Sequence, residues 1–152
     1  MPVADAPAHT APAHRAPAHH QARYDRIELG VFRAVNRIRR RHHLPTLRMV
    51  PSISFIAAFH SRDQAVNRFV SHSSSDGTPY YRRIRRVARA KSVGETIIEY
   101  RGRSTAWGIV SAWMHSPAHR AELLAGGYRR VGVGRAVAGG LNVVTADFAT
   151  GR

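Results

Sequence analysis

The chain contains no cysteine, so a disulfide framework and thiolate ligation of zinc are both excluded, and any metal must rest on histidine and carboxylate. It has no apolar run near the roughly 18 residues a membrane span needs, so no transmembrane segment is expected. Acidic residues are scarce, 9 against 24 basic ones, and the formal net charge is +15. Such a charge draws a protein toward nucleic acid, acidic lipid or polyanionic cell wall without choosing among them. Lysine is almost missing too: Lys91 is the one lysine beside 23 arginines. That skew reads mainly as coding bias, which lowers the weight of charge as a functional signal. The opening "MPVADAPAHT" lacks the positive start and the apolar core of roughly 7 to 15 residues of a secretory signal. A mature chain lacks them as well.

What is present is one domain's length of chain, 152 residues of which 43% are hydrophobic. Residues 1–23 stand apart, repeating "APAH" at 6–9, 11–14 and 16–19. Proline fixes local angles and removes donors, and Ala and His offer little to bury, so this stretch reads as a disordered or partly polyproline spacer. His9, His14, His19 and His20 in it can catch metal only loosely. Residues 24–152 form the folded domain. Asp25 can cap a first helix in which Ile27, Val31, Ala34, Val35 and Ile38 recur at helical spacing. After "LPTL", Pro51 opens a second helix through Ile53, Ile56, Ala57, Ala65 and Phe69. His72 lies just past it, before an Asp76-Gly77 turn. Thr78 can then cap a short helix begun by Pro79, with Tyr80, Ile84, Val87 and Ala88 on one side. Arg82, Arg83, Arg85, Arg86 and Arg89 fall mostly elsewhere, which reads as a solvated basic face.

"SVGETIIEY" is rich in β-branched residues and fits a short extended segment. Residues 104–114 return to helical spacing, with both tryptophans expected in the core. "YRRVGVGRAVAGGLNVVTADFA" reads as two strands joined at Gly139-Gly140. In "WMHSPAHRAELL", His115 and His119 have the spacing of a metal pair on one helical face. Ser116 and Pro117 argue against that, because they are the N-cap and first residue of a new helix. His115 then ends the preceding helix, while His119 is the third residue of the next. There the helix dipole disfavours an imidazolium and, with Arg120 beside it, can hold an anion. His72, Glu95 and His119 together match the three-ligand set of an open zinc site, if they converge.

These blocks in this order resemble the CAP superfamily, the SCP-like group of secreted proteins, in its compact bacterial form. The resemblance runs over residues 27 to about 149, through "VNRIRRRHHLPTLRMVPSI", "FVSHSSSDG", "VGET", "AWMHSPAHRAELL", "GYRRVGVGRA" and "ADFA". It implies an α+β fold, a three-layer α-β-α sandwich with a central, mainly antiparallel sheet. It also implies a cleft lined by two histidines and an acid, here His72, His119 and Glu95, which are the expected metal-binding residues; Ser116 and Arg120, at the start of the helix that carries His119, complete the expected ligand-binding set. Larger eukaryotic relatives carry a second acid where this chain has Ser116, and "GEN" is commoner than "GET", so Thr96 is a second departure.

The first function this implies is a secreted or cell-envelope binding module whose cleft takes zinc or another divalent cation and a small anionic, lipid or cell-wall ligand. A second is a metal-assisted or His/Glu-based hydrolase of peptide or cell-wall substrates, with Glu95 as general base and His72 or His119 stabilising charge. Non-enzymatic binding is the preferred reading, since no Gly-x-Ser-x-Gly elbow surrounds Ser71, Ser73 or Ser116. A third is unspecific binding of anionic surfaces or nucleic acid by residues 82–91. No recognised nucleic-acid motif is present, so no specific nucleic acid is expected.

Overall fold

A computed structural model describes residues 24–151, and the spacer reading of residues 1–23, with their four histidines, lies outside the described residues. The elements in chain order are α1 (Arg26–Arg41), β1 (Arg48–Met49), α2 (Pro51–Asn67), α3 (Tyr80–Ala88), β2 (Val93–Arg101), α4 (Ala106–His115), α5 (Pro117–Leu124), β3 (Tyr128–Ala138) and β4 (Leu141–Thr150). The strands form one sheet in the order β1-β3-β4-β2, parallel only between β1 and β3. Helices α1, α4 and α5 cover one face and α2 and α3 the other. The expected three-layer, mainly antiparallel sandwich is therefore what the chain adopts.

Local chemistry explains the boundaries. Asp25 accepts from the Glu28 N–H and its own N–H donates to the Glu28 carboxylate, both at 2.8 Å. This reciprocal cap stabilises α1 by about 1 kcal/mol. The apolar stripe Val31, Ala34, Val35 and Ile38 is buried against α4 and the sheet. Past its end, buried Arg39 donates to the carbonyls of Pro45, Leu123, Ala125 and Tyr128, so one guanidinium ties together the loops that follow α1 and α5. Pro51 starts α2 as expected, but the helix stops at Asn67 rather than Phe69, because Arg68 turns left-handed (φ 56°).

The strand pair β3 and β4 alternates sides. Val131, Val133, Val144, Ala146 and Phe148 join the core beneath α1 and α4, while Val143 and Ala149 face α2 and α3. Gly132 and Gly134 face α2, where a Cβ would fall 2.2 Å from the Ile53 carbonyl carbon and 2.0 Å from the Ala58 nitrogen. The helix backbone thus rests directly on the strand, which only glycine permits. The hairpin turns at Gly139-Gly140, as expected, with φ of 54° and 75°.

Two local expectations are corrected. Helix α3 is capped by Pro79 and begins at Tyr80, not with Thr78 as cap, because Thr78 is spent in the preceding turn, its N–H on Asp76 and its carbonyl on the Ser74 N–H. Trp113 is a core residue, but Trp107 is 48% exposed, since it lies on the outer side of α4. The extended segment expected around Glu95 is present as a nine-residue strand, β2, held along its length by β4.

A cleft over the edge strand

Strand β2 is one edge of the sheet, with α3 near it on one face and α5 on the other. A cleft of about 190 Å³ opens there, lined by His72, Tyr80, Glu95, Ala118, His119 and Glu122. The three residues expected to share a site thus line one cleft. Ser116 and Arg120 do not line it: Ser116 is half-buried and makes no side-chain cap, and Arg120 is exposed. His115 is exposed and bonds back to the Ser111 carbonyl at 2.7 Å, one turn earlier in α4.

Ser116 ends α4 and begins α5, with its N–H on the Trp113 carbonyl and its own carbonyl accepting from Arg120 N–H at 2.8 Å. That break swings His119 onto the cleft while His115 points elsewhere. Buried Trp113 donates from Nε1 to the Ile97 carbonyl of β2 at 3.2 Å, fastening this elbow to the strand that carries Glu95. On the same strand Gly94 has no side chain where Glu122 and Tyr128 meet. A Cβ there would lie 1.9 Å from the Glu122 carboxylate, which accepts from the Tyr128 hydroxyl at 2.7 Å.

Glu95 is fully buried and both its oxygens are engaged. Oε1 accepts from His72 Nδ1 at 2.8 Å, and Oε2 is ion-paired with Arg83. The expected solvated basic face is therefore broken at Arg83, whose side chain is 8% exposed. Its helical register had the signal: Tyr80, Arg83, Ile84 and Val87 form one stripe of α3. From Arg83 a polar chain runs inward, to Ser74 Oγ at 3.1 Å, then at 3.5 Å to Nδ1 of buried His60, whose Nε2 donates to the Ser71 carbonyl at 2.9 Å. Burial, outweighing the pull of Glu95, holds His60 below the usual imidazole pKa, so it is a neutral structural ring.

Directly opposite Glu95 across the β2–β4 ladder is Asp147, which is completely buried. Neither of its carboxylate oxygens meets a donor group among the described residues, and the neighbouring polar group is the Glu95 carboxyl itself. Desolvation first and the Glu95 charge second push its pKa well above the usual carboxylate range, with Arg83 opposing. One guanidinium faces two carboxyls, so the second carboxyl is stable as the neutral acid. Neither His60 nor Asp147 stood out in the sequence, although His60 lies on the core stripe Ile53, Ala57, His60, Gln64 of α2.

The two cleft imidazoles differ. His72 is 55% exposed at its side chain, and its bond to Glu95 raises its pKa. His119 is lowered, first by burial and then by His72, with Glu122 pulling the other way. Among the described residues no group of three or more His, Cys, Asp or Glu converges to hold a metal. A donor set of two imidazoles remains. Nδ1–H of His72 on a carboxylate leaves Nε2 as the free donor atom, which is how a second-sphere acid prepares a metal-ligating histidine. His119, held neutral, offers a second nitrogen. Glu95, with both oxygens engaged, orients the His72 ring and is not itself a free ligand facing the cleft.

A helix-covered mixed sheet with a His-lined cleft over its edge strand defines a domain of the SCP type. The sequence profile described as "Cysteine-rich secretory protein family", CAP, matches residues 32–148, and the chain belongs to that family, although it has no cysteine of its own. It is similar to an extracellular SCP-domain protein of Bacillus anthracis, with 28% identity over 82% of this chain and a TM-score of 0.71, and spans 40% of that protein. An outer surface protein of Borrelia burgdorferi shares the fold at a TM-score of 0.76 and 18% identity, covering 88% of this chain and 98% of its own. A third structure, NaASP2 with Zn2+, shares the fold at a TM-score of 0.59 and 11% identity, over 85% of this chain and 82% of that one. No curated protein matches the sequence. No helix among the described residues is long and apolar enough to cross a membrane.

Proposed function

We propose that this is the binding domain of a secreted or envelope-exposed protein, and that its cleft takes a divalent cation, zinc first, between His72 and His119. The observation that carries the reading is the His72 Nδ1 contact with Glu95 at 2.8 Å, which leaves the other ring nitrogen free in a cleft shared with His119. Bound there, the cation would supply a positive centre with open positions for a small anionic, lipid or cell-wall ligand. Glu95 and Arg83 hold the ring of His72, and Glu122 adds negative charge to the wall. The zinc in the NaASP2 structure supports the choice of metal. With both oxygens of Glu95 engaged, the geometry favours binding over a role for Glu95 as general base.

Calorimetric titration with zinc at neutral pH tests this in the full chain carrying His9→Ala, His14→Ala, His19→Ala and His20→Ala, so that the spacer histidines contribute nothing. We expect one zinc bound, and none after His72→Ala with His119→Ala. Undiminished uptake by that double variant would overturn the proposal.

A further inference from the structure

We propose that the solvent face of α2 docks onto an anionic phospholipid membrane, through apolar side chains that enter the interface and arginines that bind headgroup phosphates. The cleft plays no part in this.

Helix α2 buries Ile53, Ala57, His60, Gln64 and Ala65 against the sheet, yet its outer face is not polar. Phe55, Phe59 and Val66 are 72%, 63% and 57% exposed and fall on one stripe with Arg62 between them. Val137 of β3, 53% exposed, extends the patch. Two open grooves, of about 690 and 620 Å³, run along opposite sides of this stripe and share Phe55 and Phe59 as a common ridge. Single exposed apolar residues are ordinary, but a contiguous apolar ridge with a charged rim marks an interaction surface.

The rim decides the partner. Arg82 and Arg86 border one groove, Arg62 and Arg135 the other. Arg135 is committed to Asp25 and Asn142, and Arg83 to Glu95. Arg62, Arg82 and Arg86 make no ion pair among the described residues. The acids of this face, Asp63 and Asp76, are occupied by internal donors: Ser75 and Asn67 bond Asp63, and the Thr78 N–H bonds Asp76. Three uncommitted guanidiniums therefore accompany the apolar ridge, Arg62 within it and Arg82 and Arg86 along one side. Guanidinium pairs with phosphate through two parallel hydrogen bonds, and Phe and Val side chains partition into the acyl boundary. A ridge that projects between its grooves suits the plane of a bilayer better than a peptide helix, which needs a concave seat. Nucleic acid would use the phenylalanines for stacking but has no use for Val66 and Val137.

Flotation of the full chain with vesicles tests the proposal. Binding is expected to vesicles of equal parts phosphatidylcholine and phosphatidylglycerol and not to phosphatidylcholine alone, with a remnant surviving high salt. Phe55→Ser with Phe59→Ser should weaken it by about tenfold or more. Arg82→Gln with Arg86→Gln should weaken it roughly 25-fold, from about fivefold for each guanidinium. All four positions are exposed, so thermal melts should match the wild type. Phe55→Trp should show a blue-shifted emission on the mixed vesicles. Unchanged affinity in the phenylalanine variant, equal binding to neutral vesicles, or no vesicle binding would overturn the proposal. So would a dimer in sedimentation velocity, or binding of a single-stranded oligonucleotide, lost with the same two phenylalanines.

Discussion

Replacing Arg83 with methionine tests whether the ion pair beneath the cleft holds the domain together. Methionine keeps the length and apolar stem of the side chain but deletes the charge, leaving Glu95 fully buried with His72 as its one strong partner and Asp147 directly across the ladder. Both partners of the pair are shielded from water, at 8% and 0% side-chain exposure, so solvent screening gives no relief. Removing one partner of such a pair costs about 3–5 kcal/mol, a large share of the roughly 5–15 kcal/mol by which domains are stable. For a chain of this length the melting temperature should fall by about 10–20 °C. Urea unfolding of Arg83→Met, Glu95→Gln and the double variant completes a thermodynamic cycle. The double variant should be more stable than the sum of the two losses predicts, by roughly 2 kcal/mol or more, because each single change strands a buried charge or donor that the double change does not. Additive losses, or a loss below about 1 kcal/mol for Arg83→Met, would refute the claim that the pair acts as a buried unit.

Gly134→Ala should push α2 off the sheet, since the new methyl meets the Ala58 backbone, which has no rotamer to yield; a loss of about 1–3 kcal/mol in urea is expected, and an unchanged midpoint would contradict it. Asp147 has its folded pKa raised above an unfolded value of about 3.9, so its contribution to stability is fully present below that pH and is lost as pH rises toward the folded value. Asp147→Asn should therefore gain melting temperature over the wild type as pH is raised from about 4 to 7, and a constant difference across that range would contradict the buried neutral acid. Zinc affinity should fall as pH drops, and through a higher range than for an ordinary imidazole, because Glu95 raises the pKa of His72 and the proton competes for the ring; calorimetry over that range checks this.

The sequence made visible whatever obeys local rules. Capping at Asp25, proline at Pro51 and Pro117 and the turn at Gly139-Gly140 each depend on a few neighbouring residues, and each falls where expected. The separation of His115 from His119 was legible for the same reason. Whatever depends on distant partners was hidden. Arg83 looks like one more member of an arginine-rich helix until Glu95 arrives beside it from another element. Asp147 sits in "VVTADFA", where nothing in the alternation marks a carboxyl that will be sealed opposite a second one. Strand β1 is two residues long, too short to carry any pattern, and exists because Arg48 and Met49 pair with β3. Trp107 misled because aromatic size predicts burial only when the helical face is also right. Residue types alone suggested His72, Glu95 and His119 as a set, and the resemblance added what periodicity could not, that the three share one cleft.

The indole of Trp113 makes the cleft a gauge rather than a jaw. One wall, α5, is joined to α4 through a single residue, and the opposite wall is the strand to which that same helix is fastened by the Trp113–Ile97 bond. The far end of α5 is tethered as well, by Arg39 on the carbonyls of Leu123 and Ala125. A span fixed at both ends would admit a guest by its size. Guests should then be sorted by radius before they are sorted by charge.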